Sequence, residues 1–222
     1  MGLLNAVIDL SHHNTVTSFA DARAAGVLAV IHKATQGTAF SDATYDQHRA
    51  SAKAAGMLWG AYHFSRSGDV PMQVDHFLSV ANAGKDEILV LDFEPNSKEG
   101  TMTLAEAEQF VMLVQKQTGR FPGLYTGSAF INEVLGQNRK TVLAQCWLWI
   151  ARYGANPVVP PAWSDFTLWQ YTDGNSGIQP HQVPGIGRCD RDKFNGDEAG
   201  LRLFWGGGGK KKRMAAARGR GK

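Results

Sequence analysis

Four times in its first 127 residues the chain passes through the same cycle: a short apolar, strand-forming run, then a helix-forming segment that closes on glycine. The runs are AVIDL (6–10), LAVIHKAT (28–35), LWGAYHF (58–64), EILVLDFE (87–94) and GLYTG (123–127). The segments between them are SFADARAAG, ATYDQHRASAKAAG, MQVDHFLSVANAG and LAEAEQFVMLVQKQTG. Strands that alternate with helices in this way are parallel strands joined by crossovers. Gly26, Gly56, Gly84 and Gly119 stand where a helix wants a left-handed residue after its last turn. Thr103, with Glu106 three residues on, predicts a capping box at the start of the fourth helix.

CWLWIARY (146–153), FTLWQYT (166–172) and CDRDKF (189–194) raise the strand count to eight. Here the cycle decays, into a short SAFINEVL helix and a link, NPVVPPAW, too rich in proline for a crossover helix. The expected fold is α/β: an irregular TIM-like (β/α) barrel of eight strands with few helices in its last third. An open doubly wound sheet is the rival, but no glycine fingerprint follows the first strand. Residues 1–205 suffice for one such domain. Residues 206–222 are expected to be a flexible, glycine-linked basic tail. That tail holds seven of the 23 Lys and Arg, so residues 1–205 carry 16 basic against 20 acidic side chains and the net charge of +3 belongs to the tail. It is either a solvated charge run or an arm for anionic surfaces. It contains no aromatic residue on which bases could stack, which argues against specific nucleic-acid binding.

Two cysteines, Cys146 and Cys189, sit in apolar stretches and are expected to be buried thiols. No apolar run reaches the roughly 18 residues of a membrane span. The start, MGLLNAVIDL, resembles a first strand more than a signal peptide, which implies synthesis in the cytoplasm and action after release or export. A monomer is expected.

Barrels of this kind build their sites at the C-terminal ends of the strands. Those ends carry Asp9, His63, Asp92 with Glu94, Tyr125, Trp169 with Tyr171, and Asp190. Asp92 and Glu94, two residues apart, face the same side of a strand. Mutual repulsion raises one pKa and leaves a proton donor near neutral pH. Glycoside hydrolysis needs such a pair, one acid for the leaving oxygen and one carboxylate for the cationic sugar. Tyr62, Tyr125, Trp169 and Tyr171 would offer flat faces to sugar rings. Singly, each feature has a plainer reading: His32 and His63 lie in apolar strands as core histidines do, and Asp9 could cap the SHHN turn. His12 and His13 are adjacent and diverge, so no metal site is expected, nor any cofactor.

Taken in order, VIDLSHHN, VIHKATQGTAFSDATYDQHRASAKAAGMLWGAYHF, LVLDFE, FPGLYTG, LWIARY, LWQYT and CDRDKFNG, over residues 5–197, resemble the family 25 glycoside hydrolases, the Chalaropsis-type lysozymes. The resemblance implies hydrolysis of the β-1,4 bond between N-acetylmuramic acid and N-acetylglucosamine in peptidoglycan. It implies Glu94 as general acid, Asp92 as its partner, and Asp9 and Asp190 as the remaining carboxylates of the site. From their places on the same rim, Tyr62, His63, Tyr125, Trp169, Tyr171 and Asp192 are expected around the substrate. Asp192 stands where such chains usually carry Asn, and Gln36 where many carry Glu. Two other readings stay open: a glycosidase for another N-acetylated glycan such as chitin, and a non-catalytic wall-binding barrel. Residues before Asp92 are apolar and lack the longer acidic pattern of chitinases, and a mere binder has no need of Glu94. The setting implied is a cell wall reached through phage lysis or a secretion machine, with the tail on an anionic envelope.

Overall fold

The computed structural model describes residues 2–136 and 140–209. Its strands are β1 (Leu3–Leu10), β2 (Ala29–Gln36), β3 (Phe40–Ser41), β4 (Leu58–Phe64), β5 (Ile88–Asp92), β6 (Gly123–Gly127), β7 (Trp147–Ala151), β8 (Leu168–Thr172), β9 (Gln182–Val183), β10 (Gly187–Arg188) and β11 (Asp190–Asn195). Eight of them close a barrel in the order β1-β2-β4-β5-β6-β7-β8-β11, because β1 pairs with both β2 and β11. The helices are α1 (Phe19–Ala24), α2 (Tyr45–Ala54), α3 (Val70–Ala81), α4 (Leu104–Thr118), α5 (Ser128–Leu135) and α6 (Glu198–Gly206).

The strands are apolar on both faces because both faces are covered. Ala29, Ile31, Val90, Trp147 and Trp149 pack inside the barrel, while Val30, Leu89, Leu91, Leu148 and Ile150 pack outward into the core that includes the helices. The predicted capping box is present: Thr103 and Glu106 bond each other's backbone N–H. Gly26, Gly56 and Gly119 adopt the expected positive φ of 96°, 74° and 75°. Gly84 does not serve α3, which stops earlier at Ala81 with Asn82 left-handed at φ 37°. Asparagine tolerates that conformation, and the Gly84 N–H instead bonds Glu87 Oε2 at 3.0 Å.

The last strand departs from the parallel pattern. β11 runs antiparallel to both its neighbours, β8 and β1. A parallel return needs a crossover; the segment between β8 and β11 holds no helix, just the β9/β10 pairing and a bridge between Thr172 and Gly177. Below it, α6 closes the floor. Leu201, Phe204 and Trp205, spaced for one helical face, join the interior cluster, and Trp205 Nε1 donates to Trp59 O at 2.8 Å.

The glycines at 206–209 belong to this floor rather than to a linker. Gly206 ends α6, the N–H groups of Gly208 and Gly209 bond Trp205 O and Phe204 O at 2.7 and 2.9 Å, and both residues are buried. The basic run from Lys210 lies outside the described residues. Cys146 and Cys189 are buried, and neither is in a disulfide. Among the described residues no helix is long and apolar enough to cross a membrane.

Candidate active site

A cavity of about 230 Å³ opens at the C-terminal end of the barrel strands, lined by Asp9, Tyr62, Asp92, Glu94, Tyr125, Trp149, Tyr153, Gln170 and Asp190. Asp9, Tyr62, Asp92, Tyr125, Trp149, Gln170 and Asp190 each come from a different strand. β5 ends at Asp92, so Glu94 stands two residues past it. The chain stays tied to the sheet there, because the Phe93 N–H bonds Tyr125 O at 2.9 Å while the Phe93 ring turns outward onto Phe130. Asp92 and Glu94 therefore both line the cavity.

Electrostatics follow from crowding in a dry place. Burial, then Glu94, push Asp92 well above the usual carboxylate range, and Lys33 pulls it part of the way back. Burial also raises Glu94, again opposed by Lys33. Asp190 is pushed up to about 7, by burial first and the Asp173 charge second. Lys33 is held between Phe64 and Phe40, 4.9 and 5.3 Å from the ring centres, and donates to Gln36 Oε1 at 2.6 Å. Gln36, a departure noted above, thus anchors Lys33, whose charge acts on both Asp92 and Glu94.

A chain of hydrogen bonds runs along the wall. Tyr125 and Tyr153 donate to Gln170 Oε1 at 2.9 and 2.8 Å, and Gln170 Nε2 donates to Asp9 Oδ2 at 2.9 Å. No donor of the described residues reaches Asp92 Oδ1.

Of the ten residues singled out in the sequence, six meet on the cavity: Asp9, Tyr62, Asp92, Glu94, Tyr125 and Asp190. Four do not. His63 neighbours Tyr62 on β4 and so points to the opposite face; its ring lies 2.8 Å from Thr35 Oγ1 and 3.1 Å from Gln73 Oε1 and stacks on Phe110. Trp169 and Tyr171 also face outward on β8, where they donate to Arg152 O and Pro180 O at 2.8 and 3.1 Å. Asp192 faces the interior but lies wholly buried, bonded by Trp149 Nε1 at 2.6 Å. Sequence reasoning missed Trp149, Tyr153, Gln170 and Lys33. Gln170 had a signal, a lone amide at the centre of an otherwise apolar strand.

An eight-stranded barrel that gathers an acid–carboxylate pair, further carboxylates and aromatic walls at this end defines a glycoside hydrolase. Residues 8–178 match the model of the glycosyl hydrolases family 25. The chain is 30% identical over 211 residues to Lysozyme M1 of Streptomyces globisporus, covering 87% of this chain and 69% of that one. It is 26% identical over 182 residues to the N,O-diacetylmuramidase of Chalaropsis sp, covering 74% and 86%. The crystal structure of the bacterial lysozyme from Streptomyces coelicolor superimposes with a TM-score of 0.82 at 27% identity, over 94% of this chain and 99% of that one. The chain belongs to glycosyl hydrolases family 25.

Proposed function

We propose that the protein is an N-acetylmuramidase, a lysozyme that cleaves the β-1,4 bond between N-acetylmuramic acid and N-acetylglucosamine in bacterial peptidoglycan. The observation that carries this reading is Asp92 and Glu94 together on the cavity with both carboxyls held above their ordinary range. The names of Lysozyme M1 and the N,O-diacetylmuramidase support it. Glu94 is the general acid and protonates the leaving glycosidic oxygen. Asp92 stands beside Glu94 rather than across from it, a placement that favours orienting the substrate's own N-acetyl group to attack the anomeric carbon. Water then opens that intermediate with Glu94 as base, and the anomeric configuration is retained. Asp9 and Asp190 complete the site, and Tyr62, Tyr125 and Tyr153 supply walls for the sugars. One chain provides all these groups, consistent with a monomer that meets the cell wall after release or export, its tail held to an anionic envelope.

Digestion of purified peptidoglycan by the wild type and by Glu94→Gln, followed by borohydride reduction and mass spectrometry, tests the reading. Muramitol ends from the wild type are expected, with a loss of about 100-fold or more in the variant. Glucosaminitol ends would overturn the bond assignment, and no products from either protein would leave a wall-binding barrel. A covalent sugar trapped on Asp92 by a fluorosugar would overturn the substrate-assisted route.

A further inference from the structure

Asp192 lies beneath the cavity floor with no accessible surface. Its Oδ1 accepts from Trp149 Nε1, while its Oδ2 has no donor among the described residues. What it does face is a second carboxyl: Asp9, from the neighbouring strand β1, stands within hydrogen-bond reach. Neither carboxyl has a salt-bridge partner among the described residues. Arg191, next to Asp192 in the chain, points to the other face of β11, bonded to Gln182 O at 2.9 Å and Asn5 Oδ1 at 3.4 Å. Asp190, directly across from Asp9 in the ladder, adds a third acid rather than a cation.

Two buried carboxylates in contact without a cation repel strongly, and the cheapest relief is a proton between them. Burial and the neighbouring acids raise both groups well above the usual range, in agreement with this. We propose that Asp192 and Asp9 share one proton, and that Asp192 is a positioning residue for the hydrolysis proposed above. Through the proton it fixes Asp9; through Asp9 it fixes the Gln170 amide, and through that amide the hydroxyls of Tyr125 and Tyr153 on the cavity wall. The line from the Trp149 indole to two wall tyrosines is then continuous. It needs a proton donor at the Asp9–Asp192 contact, because every other atom offered there is an acceptor.

The test compares Asp192→Leu and Asp192→Asn. Leucine removes both the proton and the acceptor for Trp149, and kcat should fall at least about tenfold with KM changed less than about threefold. Asparagine accepts from Trp149 and donates to Asp9, so it should recover most of that loss; a merely volume-filling role would be served at least as well by leucine. Infrared difference spectra of wild type minus Asp192→Asn at neutral pH give a readout that needs no substrate. Loss of one protonated-carboxyl C=O band in the variant is expected. Loss of ionised-carboxylate bands alone, or an asparagine variant as impaired as the leucine one, would overturn the proposal. If Asp192→Leu does not fold, the spectra and the asparagine kinetics still decide. If the wild type cleaved no peptidoglycan, the functional reading would fall while the spectra still judged the shared proton.

Discussion

Burial raises the pKa values of both Glu94 and Asp92, Glu94 and Asp190 raise Asp92 further, and Lys33 is the counterweight to both. Burial lowers the lysine's own pKa, and the carboxylates it faces, Asp92 first, pull it part of the way back. Removing the charge in Lys33→Gln leaves both carboxyls with only the influences that favour protonation, so both rise further. The proton donor is then retained to higher pH, and the ionised partner is lost at a higher pH than before. The whole bell-shaped profile of kcat/KM should move alkaline, with activity at pH 5 falling severalfold and activity on the alkaline limb rising. A pH–rate profile of the variant checks this, and a shift in the acidic direction would show that the influence of Lys33 has been assigned the wrong sign.

At the scale of the element, the period of two decides which residues reach the site. β4 carries Tyr62 inward and His63 outward, and β8 carries Gln170 inward between an outward Trp169 and Tyr171. The sequence showed where these strands lie and that acids gather at one end. It did not show which parity faces inward where both faces are apolar, and for β8 the larger aromatics misled. β5 was legible because Asp92 at its end and Glu94 two residues past it share one parity with Val90 inside the barrel. The antiparallel β11 was not legible, because a strand's direction depends on the path of the connection before it. The floor helix α6 could have been found from Leu201, Phe204 and Trp205, yet glycines 206–209 looked like a linker because four glycines in a row carry no side-chain pattern to show that their N–H groups cap the end of α6. His63 supplies the test of parity. His63→Ala leaves a cavity against Phe110 and strips Thr35 and Gln73 of a buried partner. It should destabilise the fold by about 3 kcal/mol in urea unfolding while the folded fraction keeps its kcat. A large fall in kcat without loss of stability would return His63 to the cavity.

Across the whole molecule, the buried acids and the buried histidines pull stability in opposite directions as pH changes. His32 and His63 are lowered by burial to about 4 and about 3 from 6.5. The unfolded chain takes up their protons first, so their contribution is whole above pH 6.5 and is lost as pH falls through the window down to those values. Asp190 behaves oppositely. Its pKa rises from 3.8 to about 7 on folding, so the folded chain holds the proton longer, and the stability this confers is present below 3.8 and lost as pH rises through 7. Above that point the molecule carries an ionised Asp190 in a crowded, half-buried place, a cost tolerated for the sake of the site. Asp190→Asn removes the charge and nearly preserves the shape. It should be more stable than the wild type at pH 8 by at most about 4 kcal/mol, the ceiling set by the rise from 3.8 to about 7, and should therefore unfold at a higher temperature. At pH 4 the two proteins share the same histidines and a mostly neutral residue 190 in the folded state, so the margin should largely disappear. Calorimetry at the two pH values separates the acids from the histidines, and a margin that grew on acidification would mean that Asp190 is held as a stabilised anion instead.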